Sequence, residues 1–162
     1  MSRPERFERI YAEHYDAVWR YAMRRVGGER AADVAHETFL VLWRRLEDAP
    51  AAPRPWLIGV ARNVVLHDRR SHARRERLAA RVAAEPVASP AEAPELDDAL
   101  AFLSTEDRDL LGLVYWDDLT PAEAATAIGC SPATLRVRLH RARGRLAALL
   151  ADVREPSLEE AS

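Results

Sequence analysis

The sequence predicts an all-α fold: two small helical domains joined by a flexible linker, the second containing a helix-turn-helix. Three observations carry this. Apolar residues recur at helical spacing through most of the chain, not in strand-like alternation. Pro86, Pro90 and Pro94 lie in an acidic stretch of Ala, Ser and Glu without apolar period, the composition of a semi-extended linker. Two helix-start signals, Thr120-Pro121 and Ser131-Pro132, flank Gly129. The expected domains are therefore residues 1–81 and 96–151, with a linker over 82–95 and a polar tail over 152–162.

Glu5 to Val26 reads as the first helix. Phe7, Ile10, Tyr11, Val18, Tyr21, Ala22 and Met23 form a broad apolar face, and Gly27-Gly28 stops it. Glu29 to Leu46 reads as the second, with Ala31, Val34, Ala35, Leu42 and Leu46 as its core stripe. Phe39, Leu40, Val41 and Trp43 make its end apolar nearly all round. That pattern implies burial on two sides, by two neighbouring helices or by a partner protein. Asp48 to Pro55 is a proline-rich loop, and Trp56 opens a third helix. Leu57, Val60, Ala61, Val64 and Val65 face inward, while Arg62, Asn63, His67, Arg69, Arg70, Arg74 and Arg75 supply polar surface. An aromatic ring leading a basic helix suits single-stranded DNA, with a surface for base stacking and arginines for phosphates. A core tryptophan beside a solvated basic face has the same pattern.

The second domain begins at Leu96 to Leu103. Ser104 with Asp107 signals a cap for a helix through Trp116, whose apolar residues are Leu110, Leu111, Leu113, Val114 and Tyr115. Thr120 is the next N-cap, Pro121 suits the first helical position and Glu123 can close a capping box. Ala124, Ala125 and Ile128 give a short stripe, and Gly129 can adopt the positive φ that ends it. In the last helix, at about 100° per residue, Leu135, Leu139, Ala142, Leu146 and Leu149 share one side. Ala133, Val137, His140, Arg141 and Gly144 lie opposite, flanked by Arg136 and Arg143 on one edge and Thr134, Arg138 and Arg145 on the other. A helix with five arginines and no acid over 132–149 suits a DNA major groove. The plainer reading is an amphipathic helix with a solvated basic face.

A net charge of −2 argues against a nucleic-acid binder only until its distribution is read. Residues 1–81 carry +6, 82–131 carry −10, 132–149 carry +5 and the tail −3. Two basic segments are separated by an acidic one. The single cysteine, Cys130, excludes an internal disulfide and fits a reducing cytosol. No membrane span or signal core is visible, so the expectation is a cytoplasmic protein without membrane insertion. The histidines show no zinc spacing, and there is no phosphate-cradling loop or nucleophile elbow. No metal, no cofactor and no catalytic residue is expected; the chain does not read as an enzyme.

Read together, the two modules resemble an RNA polymerase sigma factor of the extracytoplasmic-function class. DVAHETFLVLWRRL (33–46) resembles the family's core-polymerase-binding helix, and RPWLIGVARNVVLHDRR (54–70) its −10 segment. LSTEDRDLLGLVYWDDLTPAEAATAIGCSPATLRVRLHRARGRL (103–146) resembles its −35-reading domain. The resemblance implies that Asp33, Glu37, Phe39, Leu40, Trp43 and Arg44 meet the clamp helices of the polymerase β′ subunit. It implies that the loop 48–55 holds a flipped −10 base, and that Arg54, Trp56, Arg62, Asn63, Arg69 and Arg70 line the melted strand. It implies that Arg136, Val137, His140 and Arg141 read −35 bases while Arg138 and Arg143 touch phosphate. Implied partners are core RNA polymerase, through β′ and the β flap, promoter DNA and an anti-sigma factor. Pro121, Ala133, Val137 and His140 depart from common family choices, so no −35 sequence transfers. Residue pattern alone also admits a conventional helix-turn-helix regulator working without polymerase, or an adaptor that docks on polymerase without reading DNA.

Overall fold

The computed structural model describes residues 1–79 and 94–154. Among them are seven α-helices and one short 3-10 turn, with no strand. The all-α expectation holds. The chain separates into two compact units. One carries helices α1 (Arg3–Val26), α2 (Gly28–Arg44) and α3 (Arg54–Ala79). The other carries α4 (Pro94–Phe102), α5 (Thr105–Tyr115), α7 (Pro132–Arg154) and the Pro121–Ala125 part of α6 (Pro121–Ile128).

Helix α1 starts earlier than its apolar pattern suggested because Ser2 and Glu5 close a full capping box. Ser2 N–H donates to the Glu5 carboxylate at 2.7 Å, and Glu5 N–H donates to Ser2 Oγ at 3.4 Å. Hydrogen bonding of the carboxylate by the Ser2 backbone N–H, and secondarily by the Ser2 side chain, holds the Glu5 carboxyl below its ordinary pKa. Gly27, at φ 82°, ends α1, and Gly28 already belongs to α2. Only one glycine of the pair is a stop. Helix α2 ends at Arg44, short of the expected Leu46, and the chain tightens into a 3-10 turn over Leu46–Asp48. Helix α3 begins at Arg54 rather than Trp56, since Pro53 C=O already accepts from Leu57 N–H at 2.8 Å. Pro55 fits this first turn, where an N–H would have no partner.

The three helices pack pairwise. Ile10, Val18, Tyr21 and Ala22 of α1 meet a core built from Ala31, Val34, Ala35, Phe39 and Leu42 of α2, with Leu57, Ala61 and Val65 of α3. Leu46 is fully buried even though its helix has ended. Of the expected inward residues, Val60 and Val64 are only part-covered and Met23 is exposed, whereas Ile58, outside that stripe, is buried. Thr38 is buried but satisfied, its hydroxyl donating to Val34 C=O at 2.8 Å. An Arg30–Asp68 ion pair ties α2 to α3. Arg6 reaches from α1 to Ala49 C=O at 2.9 Å and holds the end of the 3-10 turn.

In the second unit α4 and α5 both pack on α7. Ser104 caps α5, accepting from Asp107 N–H at 3.1 Å. Arg108 gathers the carbonyls at and just past the end of α4, reaching Leu100 at 2.9 Å, Ala101 at 3.2 Å and Leu103 at 3.4 Å. The expected linker lies outside the described residues as far as 93, as does the tail from 155. Helix α7 continues to Arg154, three residues past the expected edge of the domain.

Two outcomes test this packing. His14 is part-buried in α1; burial lowers its pKa, the Glu13 carboxylate opposes this, and the Arg54 charge lowers it further. Below about pH 6.5 the unfolded chain therefore binds more protons than the native one, so this stability is complete above that pH and is lost as pH falls through the lower native value. Between about pH 7 and pH 5 the His14→Gln variant should lose less of its thermal midpoint than the parent. Equal losses would remove His14 from the pH dependence. Secondly, a Cβ placed on Gly144 in α7 meets nothing within 4 Å. Gly144→Ala should raise stability by roughly 0.5–1 kcal/mol in urea denaturation.

Candidate nucleic-acid interface

The turn before α7 is built as its residue types require. Gly129 takes φ 84°, and Ser131 Oγ accepts from Thr134 N–H at 3.1 Å. At α6, Glu123 N–H donates to Thr120 Oγ1 at 3.2 Å. The return arm differs from the expected capping box: the Thr120 hydroxyl, rather than its N–H, donates to the Glu123 carboxylate at 3.0 Å. Asp118 at φ 54° bends the chain between α5 and α6.

Helix α7 has the two faces its spacing requires. Leu135, Leu139 and Ala142 are buried, and Leu146 and Leu149 are half-buried. Ala133, Val137, His140, Arg141 and Gly144 are exposed, Val137 to 50%. The arginines are not equivalent. Arg136, Arg138 and Arg141 are exposed and have no hydrogen bond or ion pair among the described residues. Arg143 Nε donates to the Tyr115 hydroxyl at 2.6 Å, its guanidinium 5.5 Å from that ring. Arg145 Nη1 donates to both oxygens of Asp107, at 3.0 and 2.7 Å. Two of the five are thus tied to α5. By local pattern Asp107 is a cap partner and Tyr115 an apolar helix residue, and neither signals these ties. No local spacing signals a pair 28 or 38 residues apart.

On α3, at about 100° per residue, Trp56, Asn63 and Arg70 share one line, while Arg62 and Arg69 share another about 100° away. Arg54 lies toward the packed side and is part-buried. The six residues implied for the −10 strand therefore do not form one row. Trp56 is half-buried, with the Arg45 guanidinium 5.9 Å from its ring; Asn63, Arg69 and Arg70 are exposed. The Trp56 ring packs on one part and stays open on another.

On α2, Asp33, Glu37, Leu40 and Arg44 lie along one exposed line. Leu40 is 52% exposed and Trp43, on its flank, 39%. Phe39 corrects its expected place at a polymerase surface: it is 3% exposed. Its ring lies 4.7 Å from Tyr11 and 6.0 Å from Tyr15, inside an aromatic cluster on α1. One hundred degrees of helical phase separates it from Leu40, and that rotation puts it in the core. Trp43 joins the cluster's edge, T-shaped on Phe7 at 5.3 Å, with the Arg3 guanidinium 4.9 Å from its ring. Neighbouring helices thus account for one side of the over-apolar end of α2, and Leu40 and Trp43 are left over.

These two modules, in this order, have known counterparts. Residues 10–75 match the Sigma-70 region 2 family and residues 94–146 match the Sigma-70, region 4 family. The ECF RNA polymerase sigma factor SigL of Mycobacterium tuberculosis is 33% identical over 145 residues, 82% of this chain and 82% of its own. The chain belongs to the ECF RNA polymerase sigma factors. SigM of Bacillus subtilis is 28% identical over 152 residues, covering 88% of this chain and 93% of its own. Among solved structures, the sigma factor RpoE from Bartonella quintana, in complex with the anti-sigma factor NepR, matches with a TM-score of 0.71. The two are 25% identical, over 90% of this chain and 96% of that one. CnrH, in complex with the cytosolic domain of CnrY, matches with a TM-score of 0.62 at 27% identity, over 90% of this chain and 88% of its own. As a sigma factor the chain acts with core RNA polymerase and promoter DNA in transcription initiation. No helix of the described residues is long and apolar enough to cross a membrane.

The phase difference on α2 has a direct consequence for this sigma factor. Phe39→Ala should cost about 3–5 kcal/mol of stability, the range for emptying a buried aromatic site. Leu40→Asp, on the open face, should stay within about 0.5 kcal/mol. Urea denaturation of the two variants checks this, and equal costs would contradict the assigned faces.

Proposed function

We propose that the second unit reads −35 duplex DNA through α7, while the first docks on core polymerase through α2 and engages the melted −10 strand through α3 and the loop before it. One observation carries the reading. Arg136, Arg138 and Arg141 stand exposed and unpaired among the described residues, beside Val137 and His140, on a face whose direction the buried leucines set. Val137 has only an apolar surface to offer, suited to a thymine methyl; His140 and the arginines supply hydrogen bonds. On α3, Trp56, Asn63 and Arg70 form the favoured stacking and phosphate line, with Arg62 and Arg69 on the adjoining edge and Arg54 supporting from the packed side. On α2, Leu40 and Trp43 give apolar contact with the β′ clamp helices, and Asp33, Glu37 and Arg44 give its polar margin. The β flap is the proposed polymerase contact of the second unit.

In this reading the chain has no catalytic step of its own, uses no cofactor and works in the cytoplasm. The Bartonella quintana relative was solved with an anti-sigma factor, and a partner of that kind is proposed here too. Domain limits of 1–81 and 96–151 suit this division of work.

The test is transcription. Purified full-length chain with core polymerase, supplied with fragmented genomic DNA, should start transcripts at sites sharing −35 and −10 elements. Tight binding by the chain alone to a palindrome, with no core binding, would favour a conventional regulator. His140→Ala combined with Arg141→Ala should relax the −35 preference by about 1–3 kcal/mol at the affected base pairs. Leu40→Asp should lower retention of core polymerase without lowering thermal stability.

A further inference from the structure

Among the described residues of α7, Arg143 is the one arginine that is both exposed and held by an aromatic side chain. Its Nε is taken by the Tyr115 hydroxyl at 2.6 Å, and its guanidinium lies 5.5 Å from the ring centre. Its terminal nitrogens, Nη1 and Nη2, have no partner among the described residues. Tyr115 is itself 56% exposed, at the last residue of α5. Core packing does not account for a ring standing so far into solvent. The arrangement leaves the fork of Arg143 open toward solvent, on the same edge of α7 as Arg136. An arginine in free solution must give up rotamer freedom to grip a phosphate with two N–H groups. One already fixed at Nε gives up less.

We propose that Tyr115 is a positioning residue for DNA binding: it holds the Arg143 guanidinium so that both terminal amino groups grip one backbone phosphate of the −35 duplex. This rests on the reading of α7 as the DNA-facing helix. Arg145 is the internal contrast. Its guanidinium is spent on the Asp107 carboxylate, which neutralises it, whereas the Tyr115 hydroxyl orients Arg143 and leaves its charge intact.

The test uses holoenzyme, assembled from full-length chain and core polymerase, on a promoter fragment recovered by the transcript mapping above. Binding is titrated at several salt concentrations for Tyr115→Phe, Arg143→Ala, the double variant and Arg141→Ala. Arg143→Ala should weaken binding and reduce the slope of log affinity against log salt by about 0.9, the loss of one phosphate contact. Tyr115→Phe keeps the ring and removes the hydroxyl; it should weaken binding about three- to tenfold, with an unchanged thermal midpoint. In the Arg143→Ala background it should have no further effect. A merely structural tyrosine would not produce that non-additivity. No effect of Tyr115→Phe, or an effect that adds undiminished to Arg143→Ala, overturns the proposal. If Arg141→Ala weakens binding while Tyr115→Phe and Arg143→Ala do not, this inference alone falls. If Arg141→Ala is also silent, the DNA-facing assignment of α7 fails and takes the inference with it.

Discussion

Burial of Leu135, Leu139 and Ala142 sets the rotation of α7, and the rest of the second unit depends on that rotation. Each buried leucine is worth about 1.5–3 kcal/mol of removed apolar surface. Turning the helix by one residue, about 100°, would expose this row and carry Arg136 and Arg143 toward α4 and α5. An unpaired guanidinium cannot enter such a core without a penalty of several kcal/mol. The helix has one acceptable phase. The exposed arginines are a consequence of it, and so is the company they keep: Val137 and His140 project with them because leucine spacing leaves no alternative.

The same logic orders the first unit. Helix α2 packs against both α1 and α3, which uses Ala31, Val34, Ala35, Phe39 and Leu42. Those two neighbours cover about half of its circumference. The half they leave carries the line of Leu40 with Asp33, Glu37 and Arg44, together with Arg30, His36 and the outer edge of Trp43. Trp43 is steadied by Phe7 and Arg3 while part of its ring stays open. Apolar side chains that survive such packing as exposed, anchored groups are the ones available to a partner surface.

Most of this architecture was legible in the sequence because it is local. Caps at Ser104 and Thr120, the positive φ at Gly129 and the stripe of α7 all follow from residues within four positions of one another. The early start of α1 was also written there, as Ser2 and Glu5 around Pro4, but it precedes the first apolar residue of the periodic pattern. Phe39 was misplaced because apolar character all round a helix end does not say which residue the neighbours take; phase settles that only once they are known. The ties of Arg143 to Tyr115 and Arg145 to Asp107 were beyond sequence reasoning. They join residues whose proximity is created by the packing of α5 on α7. The free positive charge of residues 132–149 is therefore smaller than their five arginines suggest, by the one that Asp107 neutralises.

That correction bears on how a protein of net charge −2 selects DNA at all. Each phosphate neutralised contributes about 0.9 to the salt slope, so the four arginines of residues 132–149 not paired with acid give a small electrostatic term. At physiological salt a helix of this charge holds duplex DNA weakly and releases it quickly. The basic stretch of α3 has the same limitation toward single strands. On the proposed reading, joining the two contacts in one chain raises the effective concentration of each for the other, and polymerase binding adds a third. The acidic charge between the basic segments acts in the same direction, since it lowers affinity for DNA at large. Weak individual contacts are then what the function requires. A second unit that bound −35 sequences tightly by itself would occupy them without polymerase and block the promoters it is meant to open.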